Sequence, residues 1–121
     1  MDKFKINNLI IGSKQRPKII AEISCNHNGS KKRFLKQILE AKKNSADLVK
    51  IQTYEVEDMV IGNEKKNIKK GLWKNFDIKK LYKETMTPFE WHEDAFKLAK
   101  DENINLFSTP FSERAVDLLE K

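Results

Sequence analysis

Apolar residues recur along this chain with two different periods, and the change from one to the other marks out its elements. "PKIIAEIS" (17–24), "ADLVKIQT" (46–53) and "INLFSTP" (104–110) are short apolar runs rich in β-branched and aromatic residues, which predicts three strands. Pro17 stands at the mouth of the first, where a missing N–H is tolerated. Between the first two, Phe34, Leu35, Ile38, Leu39 and Ala41 recur at near-helical spacing in "KKRFLKQILEAKKN". This predicts a helix with one buried stripe, capped by Ser30. "TPFEW" reads as a second helix start, with Thr87 as N-cap, Pro88 at N1 and Glu90 at N3 of a capping box. That helix runs to about Glu102, and Ser112 caps a third, "ERAVDLLEK". Residues 1–16 alternate weakly and predict a hairpin ahead of the first strand.

The segment 54–87 is long for a connection, because loops beyond about 12–15 residues are mostly functional or disordered. It holds a short helical stretch, "DIKKLYKE", and three aromatic anchors, Trp73, Phe76 and Tyr82, which predicts an ordered lid or rim. Strands alternating with helices imply an α/β fold with a parallel sheet covered by helices. The turn after the first strand, "SCNHNGS", has no G-x-G-x-x-G, so a dinucleotide-binding doubly wound sheet is disfavoured. The alternative is a (β/α)₈ TIM barrel, which needs eight strands and about 250 residues. About three βα units are present, so 17–121 reads as the N-terminal part of such a barrel and 1–16 as a cap.

Each strand turns polar toward its C-terminal end. The first carries Glu22 and Ser24, then Asn26 and His27; the second Lys50, Gln52 and Thr53; the third Ser108 and Thr109. Lys50 and Gln52 share one face with Leu48, since strand residues i and i+2 point the same way. Lysine is rarely buried unless paired. In a parallel α/β fold these ends meet on one rim, where barrel enzymes place their chemistry, so the three polar ends together point to a site.

Composition narrows the partners. Charged residues make up 35% of the chain and the net charge is +6, a balance that suits an anionic small substrate. Basic residues are interspersed with acidic ones except in "NEKKNIKK", which reads as a solvated face. No zinc-finger spacing, RNP-like motif or basic arm supports nucleic-acid binding. No apolar run reaches membrane-spanning length. The single Cys25 excludes an intrachain disulfide and fits a cytoplasmic setting. "NGS" at 28–30 matches a glycosylation sequon, which is without meaning in that setting.

At these residues the sequence resembles the sialic acid synthase family. "IIAEISCNHNGS", "VKIQTY" and "FSTPFSERAVDLLE" resemble its signature blocks, and "GLW" with "LYKETMTPFEWH" is most similar to its pseudaminic acid branch. The resemblance spans roughly residues 17–121. It implies a (β/α)₈ barrel followed by an antifreeze-like domain, a domain-swapped homodimer and a manganese or magnesium ion. It also implies that the metal-binding histidines and a partner-supplied arginine lie outside this chain. The implied reaction joins phosphoenolpyruvate to an N-acylated amino sugar, giving a nine-carbon 2-keto acid. By the same resemblance Lys50 and Thr109, with Ser108 beside it, hold phosphoenolpyruvate. Gln52 reads the sugar, and Glu22 orients the aldehyde or moves a proton. The metal would polarise that aldehyde.

Other readings stand beside this one. Related synthases making N-acetylneuraminate or legionaminate, a Schiff-base aldolase using Lys50, and a non-catalytic barrel fragment remain alternatives. A three-stranded piece with open sheet edges is expected to be inactive and poorly soluble alone. Glu22 also reads as a structural partner of Lys50, and Lys50 as a snorkelling lysine. His27 reads as a helix-start hydrogen-bonding group, His92 as an ordinary helix residue and Cys25 as a small buried thiol. Asn26 and Asn28 shape a turn, and Trp73, Trp91 and Phe96 are packing residues.

Overall fold

A computed structural model describes residues 3–62 and 67–120. The weak alternation at the N-terminus forms a hairpin of β1 (Lys3–Ile6) and β2 (Leu9–Gly12), with Ile6 opposite Leu9. Asn7 makes its turn with φ at 51°, a left-handed conformation that asparagine tolerates. Then come β3 (Ile20–Glu22), α1 (Lys31–Lys43), β4 (Leu48–Thr53), α2 (Val56–Met59), α3 (Ile78–Thr85), α4 (Glu90–Asp101), β5 (Leu106–Pro110) and α5 (Glu113–Leu119). β4 lies between β3 and β5, and both pairings are parallel.

β3 is shorter than the apolar run that predicts it. Asp47 takes over before it: its carboxylate accepts from Ile19 N at 2.9 Å and holds Arg16 as a fork. After Glu22, one more ladder bond forms from Ile23 N to Lys50 O, and Ser24 then turns the chain with φ at 44°. Ser30 and Ser112 cap α1 and α5 as expected, accepting from Arg33 N and Ala115 N. Thr87 does not cap α4. The helix begins later, and Pro88 and Phe89 carbonyls satisfy Trp91 and His92 N–H in a tightened first turn. The Thr87 side chain is fully buried and meets His27 Nε2 at 3.2 Å instead; a distant partner displaces the local cap.

The core joins Phe34 and Ile38 of α1, Val49 and Ile51 of β4 and Ala95 of α4. Fully burying each larger side chain contributes about 1.5–3 kcal/mol. Because strand side chains alternate, a core built on Val49 and Ile51 turns Leu48, Lys50 and Gln52 to the opposite face. The hairpin closes the N-terminal end of that face. Ile6 and Ile11 line a 290 Å³ cavity with Ile20, Leu48 and Phe107, and Asn7 Nδ2 donates to Asn105 Oδ1 at 3.0 Å. The C-terminal end of the face is the polar one.

Between β4 and α4 the described residues form α2 and α3. Tyr82 of α3 packs edge-on against Tyr54, which also meets Phe111. Trp73 and Phe76 correct the expectation of three anchors: they are half-exposed and pack on each other at 5.7 Å. They lie in a small excursion closed by a bridge between Asn67 and Asp77. Positions 63–66 of the "NEKKNIKK" run lie outside the described residues.

Candidate active site

Strand register brings four of the sequence-predicted residues together. Glu22 and Lys50 are partners across β3 and β4, and one step further up Gln52 and Thr109 are partners across β4 and β5. All four belong to the face opposite the helices. Lys50 Nζ lies 2.5 Å from Glu22 Oε2, with the side chains 31% and 38% exposed. Glu22 Oε1 accepts from Ser24 N at 3.0 Å and from Ser24 Oγ at 2.9 Å. The left-handed turn at Ser24 thus folds its own backbone onto the carboxylate. Both Glu22 oxygens are held, so the carboxylate has one orientation, with a cation beside it.

A second set of contacts orients Gln52. His27 Nδ1 accepts from Gly29 N at 3.1 Å, which leaves the ring proton on Nε2 to donate to Thr87 Oγ1. Thr87 donates to Cys25 Sγ at 3.9 Å, and Cys25 donates weakly to Gln52 Oε1 at 3.8 Å. This weak bond points one lone pair of the Gln52 oxygen at Cys25 and leaves its NH₂ as a donor at the open face. His27 is buried against Phe34 and Trp91 in edge-on contacts. Burial, aided by the nearby Arg33 charge, holds its imidazole below the ordinary histidine range. The helix-start role expected of it is correct but incomplete, since it also begins this chain. Asn26 shapes the turn, as expected, through Nδ2 to Ile23 O at 3.0 Å, and Asn28 sits at φ 47°.

Ser108 is not part of the group. It shares the helix-facing side with Ile51 and Thr53, where its Oγ meets Thr53 Oγ1 at 2.6 Å. The alternation of β5 puts it behind Thr109, so of these two neighbours only Thr109 is on the open face. His92 likewise departs from the expectation of an ordinary helix residue. It is 2% exposed, with Nε2 2.7 Å from Thr53 Oγ1 and Nδ1 3.2 Å from Pro88 O. The carbonyl can only accept, so Nδ1 carries the proton and Nε2 accepts from Thr53. Burial holds this ring below the ordinary range as well. The spacing of His92 from Thr53 in sequence gives no warning of this contact.

The rim beside the strand ends is charged and aromatic. Arg114 of α5 grips Glu55 Oε2 at 2.6 Å and Asp58 Oδ1 at 3.2 Å, tying α2 to α5. Tyr54 OH donates to Thr85 Oγ1 at 2.9 Å, because the Thr85 proton goes to Leu81 O. Burial pushes the Tyr54 phenol above its usual range. Among the described residues, no group of three or more His, Cys, Asp or Glu side chains could hold a metal ion. His27 and His92 are both committed to internal partners, and the resemblance puts the metal-binding histidines outside this chain. Among the same residues no helix is long and apolar enough to cross a membrane.

Parallel strands with a charged pair, an amide and a hydroxyl grouped at their C-terminal ends define an α/β protein with a candidate site for a small polar anion. The sequence model of the NeuB family matches residues 37–121, and the chain belongs to that family. The matched span contains Lys50, Gln52 and Thr109, while Glu22 precedes it. The pseudaminic acid synthase of Campylobacter jejuni is 43% identical over 105 residues, covering 85% of this chain and 31% of that protein. The pseudaminic acid synthase of Helicobacter pylori is 38% identical over 108 residues, 88% of this chain and 32% of its own length. The chain thus spans about a third of the length of these curated relatives. In structure it is similar to an N-acetylneuraminic acid (sialic acid) synthetase of Leptospira borgpetersenii solved with citrate, with a TM-score of 0.80 at 24% identity. That match covers 98% of this chain and 38% of the other. The spore coat polysaccharide biosynthesis protein SpsE of Bacillus subtilis matches with a TM-score of 0.68 at 25% identity, over 98% of this chain and 30% of that one.

Proposed function

We propose that this chain supplies part of the active site of a synthase that condenses phosphoenolpyruvate with an N-acylated amino sugar, the sugar being a pseudaminic acid precursor. The observation that carries the reading is the Glu22–Lys50 pair beside Gln52 and Thr109 at the C-terminal strand ends. The relatives named pseudaminic acid synthase support the choice of sugar. The three parallel strands are read as the first part of a (β/α)₈ barrel, whose chemistry sits at this end.

In this reading Lys50 receives phosphoenolpyruvate, whose phosphate and carboxylate make a dense anion. A charge-assisted bond to the ligand replaces the one to Glu22. Thr109 adds a hydroxyl donor on the next strand. Glu22, released by Lys50 but still held by Ser24, faces the sugar aldehyde and orients it or holds a proton in transit. The Gln52 NH₂ donates to a sugar oxygen. The C3 carbon of phosphoenolpyruvate attacks the aldehyde carbon and forms the new C–C bond. Water adds to the cation left at C2, and the C–O bond to phosphate breaks, leaving the 2-keto acid and inorganic phosphate. Lys50 as a Schiff-base nucleophile is less well supported, because an ion-paired, partly exposed lysine lacks the desolvated apolar pocket such residues use.

The test is phosphate release by the full-length enzyme over a panel of acylated hexoses. Release that requires both phosphoenolpyruvate and a diacetamido-trideoxyhexose is expected. No release with any acylamino sugar would overturn the proposal, and borohydride trapping of substrate on Lys50 would replace it with the aldolase.

A further inference from the structure

We infer that His92 is a positioning residue for this site, acting through Thr53 and Ser108. The inference rests on the reading of Gln52 and Thr109 as ligand contacts. Those two are register partners on the open face. Directly behind them, on the helix-facing side, stand the residues next to each in sequence, Thr53 and Ser108. Their hydroxyls are 2.6 Å apart, and Thr53 Oγ1 is 2.7 Å from His92 Nε2. Ser108 Oγ also lies 3.3 Å from Ile51 O, and His92 Nδ1 donates to Pro88 O at 3.2 Å. One continuous chain of hydrogen bonds therefore runs from the start of α4, across β4, to β5. With His92 Nδ1 donating to Pro88 O, Nε2 accepts from Thr53, and Thr53 accepts from Ser108, whose one proton faces both Thr53 Oγ1 and Ile51 O.

The chain is buried at Thr53, which is fully enclosed, and at His92, which is 2% exposed, and half-buried at Ser108. In that setting hydrogen bonds strengthen and polarise one another. The bonds join the last residue of β4, beyond which the chain turns away into α2, to the middle residue of β5, two positions before that strand ends. Thr53 O still accepts from Phe111 N at 3.1 Å, so the same residue anchors both the backbone ladder and the side-chain relay. Loss of the relay frees the two strand ends to shift against each other. A misplacement of about 1 Å at a reacting site can lower a rate about a hundredfold. A hydroxyl relay placed behind the amide and hydroxyl that face the ligand sets their separation without touching the ligand.

The experiment compares Thr53→Val, Thr53→Ser and His92→Leu in the full-length enzyme. Two quantities are read: hydrogen exchange at 50–54 and 107–111, and kcat/KM for phosphate release well below each variant's Tm. T53V and H92L are expected to exchange about tenfold faster in these segments and to lose about tenfold in kcat/KM, while T53S stays within twofold of wild type in both. The double variant T53V/H92L is expected to be no worse than either alone, because both break one relay. Unchanged exchange, a T53S variant as impaired as T53V, or faster exchange with unchanged kcat/KM would each overturn the inference. If the wild-type enzyme releases no phosphate, the functional reading fails by itself, and the exchange data still decide whether His92 fixes the strand ends.

Discussion

Lys50 and Glu22 face each other as register partners on adjacent parallel strands, with Nζ 2.5 Å from Oε2. About a third of each side chain is exposed, and ion pairs in such settings are worth only about 0.2–1 kcal/mol. Stability is therefore a weak reason for this pair. Its place between an amide, a hydroxyl and an open strand end is the stronger one.

The first prediction separates the two partners. Lys50→Met is expected to raise KM for phosphoenolpyruvate about 10- to 100-fold, the equivalent of losing a hydrogen bond to a charged group. Glu22→Gln is expected to do the opposite to KM, lowering it, because the competing carboxylate is gone, while kcat falls. Steady-state phosphate release decides between them. A Glu22→Gln enzyme with raised KM and unchanged kcat would make Glu22 a binding group alone.

Thr109 is tested by shape and donor separately. Thr109→Val keeps the branched shape and removes the hydroxyl, and is expected to weaken phosphoenolpyruvate binding about tenfold. Thr109→Ser keeps the donor and should stay within about threefold. Calorimetric titration of the full-length enzyme with phosphoenolpyruvate reads both. Equal affinities for the two variants would remove the hydroxyl from the site.

Stability should depend on pH through His27 and His92. Burial lowers both from the unfolded value of 6.5. The unfolded chain therefore binds more protons than the folded one between the folded values and 6.5. The stability contributed by the neutral rings is fully present above 6.5 and is lost as pH falls below it. Urea midpoints are expected to fall between pH 7.5 and 5.5, and the fall should shrink in His27→Gln and in His92→Gln. A flat profile in the wild-type protein would contradict the buried neutral assignment.

Ile38 has no exposed surface and packs within the cluster formed by Phe34, Val49, Ile51 and Ala95. Ile38→Ala is expected to destabilise the fold by about 2–5 kcal/mol, from lost transfer energy plus the cavity left behind. Urea unfolding measures it, with the slope unchanged if the native state is otherwise intact.

Cys25 is expected to support Gln52 rather than react. Cys25→Ala should retain at least about a third of kcat and raise KM for the sugar a few-fold, as the Gln52 amide loses its weak donor. A covalent nucleophile would lose about a millionfold instead. The two outcomes are far enough apart for a single assay.

Local sequence pattern determined the hairpin, the order of the other strands and helices except the single turn α2, and the serine caps of α1 and α5. These rest on local effects: side-chain spacing, one hydroxyl near one amide, a short alternating run. Strand alternation also sufficed to put Lys50 and Gln52 on one face, which is why the polar strand ends read as a candidate site. Tertiary structure decided what depends on residues far apart in sequence. The register between β4 and β5 paired Gln52 with Thr109 and left Ser108 behind the sheet. Thr87 exchanged a capping role for His27, 60 positions away, and His92 found Thr53 across 39. Trp73 and Phe76 stay half-exposed, packed on each other. Buried polar groups must be satisfied by whatever the fold brings near them, and that neighbour is set by packing, not by spacing along the chain.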